Sequence, residues 1–189
     1  MKALEHTSFP EIAERISALY DEEGDALLLG LLGQEYVIRH EGIFLHGQKA
    51  PDIHETLILD HLFSAGTISA LLPWRSIGDF SDCPAPDFRR KVEVPLTQYA
   101  AEIVTRSQAL MPMFDARTSQ SLIGSDMAFI VRALPKISLH VEISQETQDF
   151  PAEVWILFSN NANEFLNTSN LQVLAELFKD RLLSLLRIY

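Results

Sequence analysis

The heptapeptide Ile137-Ser138-Leu139-His140-Val141-Glu142-Ile143 alternates strictly between apolar and polar side chains. Because successive side chains of a β-strand point to opposite faces of its sheet, this alternation predicts a strand with one buried face and one polar face. His140 falls on the polar face, so we expect it to face solvent or to lie at an edge.

Two flanking segments extend this strand into a sheet. Met127–Leu134 is apolar and rich in β-forming residues, and Pro135-Lys136 turns the chain into the alternating strand. Residues 154–158 are apolar without alternation, which is typical of an interior strand covered on both faces. The three segments together predict a three-stranded antiparallel meander.

A second meander is predicted near the start of the chain. Residues 26–32, 34–39 and 43–46 are apolar or rich in β-forming residues, and Glu41-Gly42 is a hairpin signal between the last two. Residues 71–95 contain four prolines, which indicates an irregular segment.

Helices are predicted where apolar side chains recur at spacings of three and four. They cover about residues 10–20, 52–64, 96–111 and 169–187, and Ser8 and Ser169 have the spacing of capping-box N-caps. The whole pattern predicts one domain over residues 1–189. Its class is α+β: mainly antiparallel sheet, in two three-stranded meanders, with helices packed against it.

Composition restricts the classes of partner and the cellular compartment. The chain has 189 residues with 15 Lys and Arg against 26 Asp and Glu, a net charge of −11, which argues against nucleic-acid binding. Cys83 is the only cysteine, so the chain has no internal disulfide and no multi-cysteine metal site. No signal-peptide pattern and no apolar stretch of the roughly 20 residues that span a bilayer is present. We therefore expect a soluble cytoplasmic protein that does not bind membranes.

The sequence contains none of the usual catalytic or nucleotide-binding motifs. His54 and His61 lie seven residues apart on one predicted helix, about 10.5 Å along its axis, which is too far for both to bind one ion. We therefore predict no metal site and no cofactor.

Three carboxylates are the candidate catalytic residues. Asp126 precedes the strand at Met127, while Asp149 and Glu153 flank a loop that Phe150 is expected to anchor in the core. If both loops meet on one side of the sheet, these carboxylates form a cluster that could perform general acid–base chemistry, with a distant histidine such as His61. Two turns capped by aspartate are the simpler alternative, which we favour.

A basic triplet, Arg89-Arg90-Lys91, is the candidate ligand-binding segment. A charge run of this kind is usually a solvated surface, and the alternative is a contact with an anionic ligand or partner.

The last third of the chain carries a family resemblance. The segments Gly124-Ser125-Asp126-Met127-Ala128-Phe129, Ala133-Leu134-Pro135-Lys136-Ile137-Ser138-Leu139 and Asp149-Phe150-Pro151-Ala152-Glu153 occur in this order. The order resembles an uncharacterised bacterial and archaeal family, domain-of-unknown-function family 3786, and the resemblance extends from about residue 30 to the end.

The resemblance implies a context rather than an activity, because the family has no assigned reaction. Some relatives are fused to a four-cysteine iron–sulfur segment like that of corrinoid iron–sulfur proteins, which implies anaerobic one-carbon or redox metabolism. With Cys83 alone, this chain cannot bind such a cluster.

Three hypotheses for function follow. The first is an accessory protein that binds a small-molecule ligand or a protein partner. The second is a hydrolase, or a metal-assisted hydrolase, that uses the carboxylate cluster. The third is a structural subunit of a homo-oligomer, because the apolar stripe over residues 171–186 is wider than one packing face requires.

Overall fold

The computed structural model describes residues 4–66, 68–80 and 85–188, so Cys83 lies outside the described residues. Two antiparallel sheets with helices packed against them confirm the α+β class. No helix in the described ranges is both long and apolar enough to span a bilayer.

The N-terminal sheet is a five-stranded meander rather than the predicted three-stranded one. It follows helix α1 (Phe9–Ile16), and its strands, in spatial and chain order, are β1 (Leu19–Asp21), β2 (Ala26–Leu31), β3 (Gln34–Arg39), β4 (Gly42–Leu45) and β5 (Gln48–Lys49). The predicted first helix was too long because Ser17 adopts a left-handed conformation that ends it. Strands of two or three residues, such as β1 and β5, are too short to show a period in the sequence.

The C-terminal sheet has four strands, one more than the predicted three-stranded meander. They are β6 (Ala116–Thr118), β7 (Met127–Leu134), β8 (Ile137–Ser144) and β9 (Glu153–Phe158), in that order. The prediction of an interior strand at residues 154–158 was wrong. Burial alternates along β9, and Trp155 is 36% exposed, so one face of the strand is only partly covered. β9 is the last strand in the order of its sheet, and beyond it the described residues add only an isolated bridge between Arg75 and Phe158.

Helices and short turns connect and cover the sheets. They are α2 (Asp52–Leu62), a 3₁₀ turn (Ile77–Asp79), α3 (Ala85–Phe88), a π-helical turn (Arg89–Glu93), α4 (Val94–Thr97), α5 (Ala100–Leu110), two further 3₁₀ turns (Met111–Phe114 and Ala162–Glu164) and α6 (Thr168–Ile188). The segment predicted to be irregular is therefore partly helical. Pro86 lies in the first turn of α3, where proline is tolerated, and Pro95 is the second residue of α4, directly after the π-helical turn.

The last helix is capped two residues before the predicted position. The Asn167 side-chain oxygen accepts a hydrogen bond from the Asn170 backbone N–H at 2.9 Å, so Asn167 takes the place expected for Ser169.

One hydrophobic cluster includes residues from both sheets and from α6. The sheets meet where the Leu32 N–H donates to the Ala133 carbonyl at 2.9 Å. The wide apolar stripe of α6 is used inside the chain: Leu174, Phe178 and Leu182 are buried, and Leu177 packs against the same core. The stripe therefore gives no support to the homo-oligomer hypothesis.

Candidate functional site

A π-helical turn at Arg89–Glu93 packs against β9 and presents two charged side chains to it. The turn lies between α3 and α4, so three short segments form one continuous helical stretch. Single π turns are rare and frequently occur at functional sites, because the wider turn redirects side chains that a regular helix would bury or expose.

Glu93 is a buried carboxylate on this turn, 6% exposed. Its Oε1 accepts a hydrogen bond from the Ile156 backbone N–H at 3.0 Å, and its Oε2 lies 3.8 Å from the Arg89 Nη1. Burial raises the pKa of Glu93 above its ordinary value, although the Ile156 hydrogen bond and the Arg89 charge oppose the shift. A carboxyl group of this kind can serve as an acceptor when ionised and as a donor when protonated.

Arg89 connects Glu93 to strand β9. Its Nη2 lies 3.1 Å from the Glu153 Oε1, and its guanidinium carbon lies 4.8 Å from the centre of the Trp155 ring. The indole Nε1 of Trp155 in turn donates to the Glu153 Oε2 at 3.3 Å. Glu153 and Trp155 are two residues apart on one strand, so both side chains lie on the same face.

Arg89, Glu93 and Trp155 border an open groove of about 450 Å³. Its walls are mainly apolar and include Ile77, Pro86 and Phe88, while Arg89 and Glu93 supply charge. Pockets of this size, with apolar walls and a few convergent polar groups, are typical of small-molecule sites. Two residues predicted separately, Arg89 and Glu153, form an ion pair, and only Arg89 of the two lines the groove. Glu93 and Trp155 were missed.

The other two members of the basic triplet do not reach the groove. Arg90 and Lys91 both pair with Asp87 on the same helical stretch. These contacts hold the pKa of the Asp87 carboxyl below its ordinary value. This is the solvated-surface arrangement, in which neighbouring charges neutralise one another.

The predicted carboxylates lie at one end of the C-terminal sheet. The Asp126 Oδ2 accepts a hydrogen bond from the Gln145 N–H at 2.7 Å, which is a turn contact, and Asp149 is exposed. Glu153 pairs with Ser144 of β8, on the side away from β7. The Cα atoms of Glu153 and Asp126 are therefore about 10 Å apart, which is two strand spacings.

The loop that carries Asp149 is not anchored as predicted, because Phe150 is 71% exposed. Among the residues that the structure describes, no three His, Cys, Asp or Glu side chains come together in an arrangement that could hold a metal ion.

His61 is a core residue. It is fully buried on α2, and its ring centre lies 5.6 Å from that of Phe165. Burial lowers the pKa of His61 to about 3, so its ring is neutral at neutral pH. Neither ring nitrogen has a hydrogen-bond partner within the described part of the chain. The structure does not bring His61 to any of the three candidate carboxylates.

The prediction that His140 faces solvent or an edge was wrong, because its ring is fully buried. The Nε2 atom lies 2.9 Å from the Glu142 Oε1, and the Trp74 ring centre lies 5.0 Å from that of the imidazole. The alternation identified the correct face of β8, but Trp74 and residues 121–125 cover that face.

Glu142 accepts more hydrogen bonds than any other carboxylate described here. Its oxygens accept from Ser121 Oγ at 2.6 Å, from the Leu122 N–H at 2.6 Å, and from Ser125 Oγ, besides the contact with His140. Burial raises the pKa of Glu142, but these hydrogen bonds outweigh it and hold the pKa below its ordinary value. The serines contact the carboxylate and not the imidazole, so the group lacks the order of a Ser–His–acid triad.

The comparisons with known proteins identify the family alone. A family model described as domain of unknown function DUF3786 matches residues 8–181, so the chain belongs to this family. No curated protein and no solved structure matches the chain.

Proposed function

We propose that this protein is a non-catalytic accessory protein that binds a small molecule in the groove between the π turn and β9. The observation that carries the proposal is the convergence of Arg89, Glu93 and Trp155 on one mainly apolar groove of about 450 Å³. A buried carboxyl group with a raised pKa is costly to maintain, and such groups are concentrated at functional sites.

The charges around the groove favour a particular ligand chemistry. Two carboxylates, Glu93 and Glu153, lie beside the single guanidinium of Arg89, so these three side chains have a net charge of −1. The apolar walls suit a hydrophobic body, and the half-exposed indole of Trp155 offers a ring face. The ligand class is therefore a small amphipathic molecule with an amine or another hydrogen-bond donor.

The groove offers binding groups and lacks a recognisable nucleophile. Among the described residues that line it, Ser76 is the only hydroxyl side chain, and it caps the 3₁₀ turn at Ile77–Asp79. An activated nucleophile needs a base within hydrogen-bond reach, and the hydroxyl of Ser76 is engaged with backbone instead. This supports binding over hydrolysis.

Fragment binding tests the site. Benzylamine and phenylacetate share a ring but carry opposite charges, and saturation-transfer NMR detects both. We expect saturable binding of benzylamine. Glu93→Gln and Trp155→Ala should each lower its affinity by about tenfold, as expected for loss of a charge-assisted hydrogen bond or of a ring contact. Glu146→Gln is the matched control, because Glu146 is exposed and lies outside the groove.

Two outcomes would overturn this assignment. One is an absence of saturable benzylamine binding to the wild-type protein. The other is equal weakening by Glu146→Gln and Glu93→Gln, which would indicate attraction to the overall negative charge instead of to the groove.

The family context adds a metabolic setting to the proposal, namely anaerobic one-carbon, corrinoid or redox metabolism. Native mass spectrometry of protein purified anaerobically from its host tests it directly. A small molecule that co-purifies with the wild-type protein and not with Trp155→Ala would support ligand binding in the groove, and its identity would indicate the pathway. A single apo mass for the wild-type protein would contradict both the bound-ligand state and the metabolic link.

A further inference from the structure

A second groove, of about 380 Å³, lies over β6, β7 and the turn that follows β7. Its lining is mainly polar and includes Ser69, Asp115, Arg117, Arg132 and Ser138. It shares no lining residue with the groove beside Glu93. The two sites can therefore be tested independently.

The sheet register places two arginines side by side in this groove. Arg117 of β6 pairs with Ile130 of β7, and Arg132 follows Ile130 by two residues on the same face. Such diagonal neighbours on adjacent strands are about 7–8 Å apart, which is within reach of long side chains. Both arginines are exposed, so their guanidinium groups are available to a ligand.

These arginines have no partner among the described residues, which distinguishes them from most cations of this chain. Arg90 and Lys91 pair with Asp87, and Arg106 pairs with Glu102. The chain has 26 acidic residues against 15 basic ones, so carboxylate partners are abundant. Two adjacent arginines without one are therefore a distinctive local concentration of positive charge.

The remaining lining residues set the charge and the donors. Asp115 borders the groove but forms no ion pair with either arginine, so the three side chains leave a net charge of +1. The hydroxyl of Ser138 supplies a further donor at the wall, while Ser69 Oγ donates to the Lys136 carbonyl at 2.9 Å.

We propose that this groove is an oxyanion-binding site that takes the phosphate or carboxylate group of a small molecule. The guanidinium fork matches both groups in two-point contacts, and two forks together match the charge of a dianion. The class of oxyanion, a phosphate or a carboxylate, is distinguished by the probes used to test it.

Titration of the isotope-labelled chain by two-dimensional NMR tests the proposal, with sodium chloride used to hold ionic strength constant. Inorganic phosphate, pyrophosphate and malonate are the probes. We expect saturable shifts of the Arg117, Arg132 and Ser138 resonances. Arg117→Gln and Arg132→Gln should each weaken binding by about tenfold, as expected for loss of one charge-assisted contact, and the double variant should abolish it.

Two further variants separate the site from general electrostatics and from misfolding. Arg187→Gln removes the same charge from an exposed arginine outside the groove, and it should leave binding unchanged. Arg132→Lys keeps the charge but loses the planar fork, and it should bind with intermediate affinity. Tighter binding of malonate than of the phosphates assigns a carboxylate ligand, and the reverse assigns a phosphate.

The proposal is overturned if no probe gives saturable shifts, or if Arg187→Gln weakens binding as much as Arg132→Gln. Benzylamine binding to Arg132→Gln reports separately on the groove beside Glu93, so failure of one site leaves the other testable.

Discussion

Replacing Glu142 with glutamine should destabilise the fold strongly, because its two carboxylate oxygens accept from four donors. The side chain is 1% exposed, so water cannot replace a lost partner. Glutamine keeps one acceptor oxygen for the Leu122 N–H and the His140 ring. Its amide nitrogen then faces the hydroxyls of Ser121 and Ser125, which must rotate from donating to accepting.

The magnitude follows from the bonds that change. Two charge-assisted hydrogen bonds are worth about 1.5–3 kcal/mol each, and rotation of the hydroxyls recovers part of that, so we expect a loss of about 2–4 kcal/mol. Glu142→Ala leaves all of the buried donors without an acceptor and should cost more than Glu142→Gln. Since domains of this size are stable by only about 5–15 kcal/mol, the alanine variant approaches unfolding at ambient temperature.

Urea denaturation followed by circular dichroism measures both variants, with Glu146→Gln as an exposed control. The effect should also depend on pH. Because the folded pKa of Glu142 is depressed, its stabilisation is present above the unfolded pKa, near 4.5, and is lost as pH falls through the folded pKa. A free energy of unfolding for Glu142→Gln within 0.5 kcal/mol of the wild-type value would show that these hydrogen bonds do not stabilise the fold.

Three further changes test other parts of the structure. Glu93→Gln should leave the free energy of unfolding unchanged or raise it at pH 7, because burial disfavours the ionised carboxylate there. Calorimetry should show that the wild type becomes more stable relative to this variant as pH falls. A variant clearly less stable than the wild type at pH 7 would contradict this. His61→Leu should stabilise the fold by about 1 kcal/mol, since two buried nitrogens without hydrogen-bond partners are removed. It should also make the fold less sensitive to acid below about pH 6.5, because the buried imidazole no longer has to be protonated on unfolding. Urea midpoints equal to those of the wild type at pH 5 and pH 7 would count against both expectations. Gly33→Ala should lower the melting temperature by several degrees, because φ is +77° and the added Cβ would lie 2.2 Å from the Met113 carbonyl oxygen, whereas Gly30→Ala, with open space around it, should not.

The sequence predicted the features of this fold that depend on local pattern. Alternation around His140 identified β8 and its two faces correctly, because side-chain direction in a strand is a local property. It did not predict that Trp74 and the loop containing Ser121 cover the polar face. That cover comes from segments distant in sequence, and no periodicity in β8 records it.

The candidate site, too, was predicted only where local sequence was sufficient. Arg89 and Glu153 were each singled out, but they lie 64 residues apart, and only the packing of the π turn on β9 joins them. Glu93 was missed because nothing in a sequence marks a π turn.

The two buried glutamates separate structural from functional use of a carboxylate. Glu142 is surrounded by donors that hold its pKa down, so its charge stabilises the fold and needs no ligand. Glu93 has one backbone donor and a distant guanidinium, and its pKa is raised, so its charge weakens the fold at neutral pH. A destabilising charge that borders an open groove is typical of a site arranged for an external partner, because a bound cation would supply the interaction that the protein itself leaves incomplete. This contrast is why we assign the ligand to Glu93, although Glu142 belongs to the larger polar network.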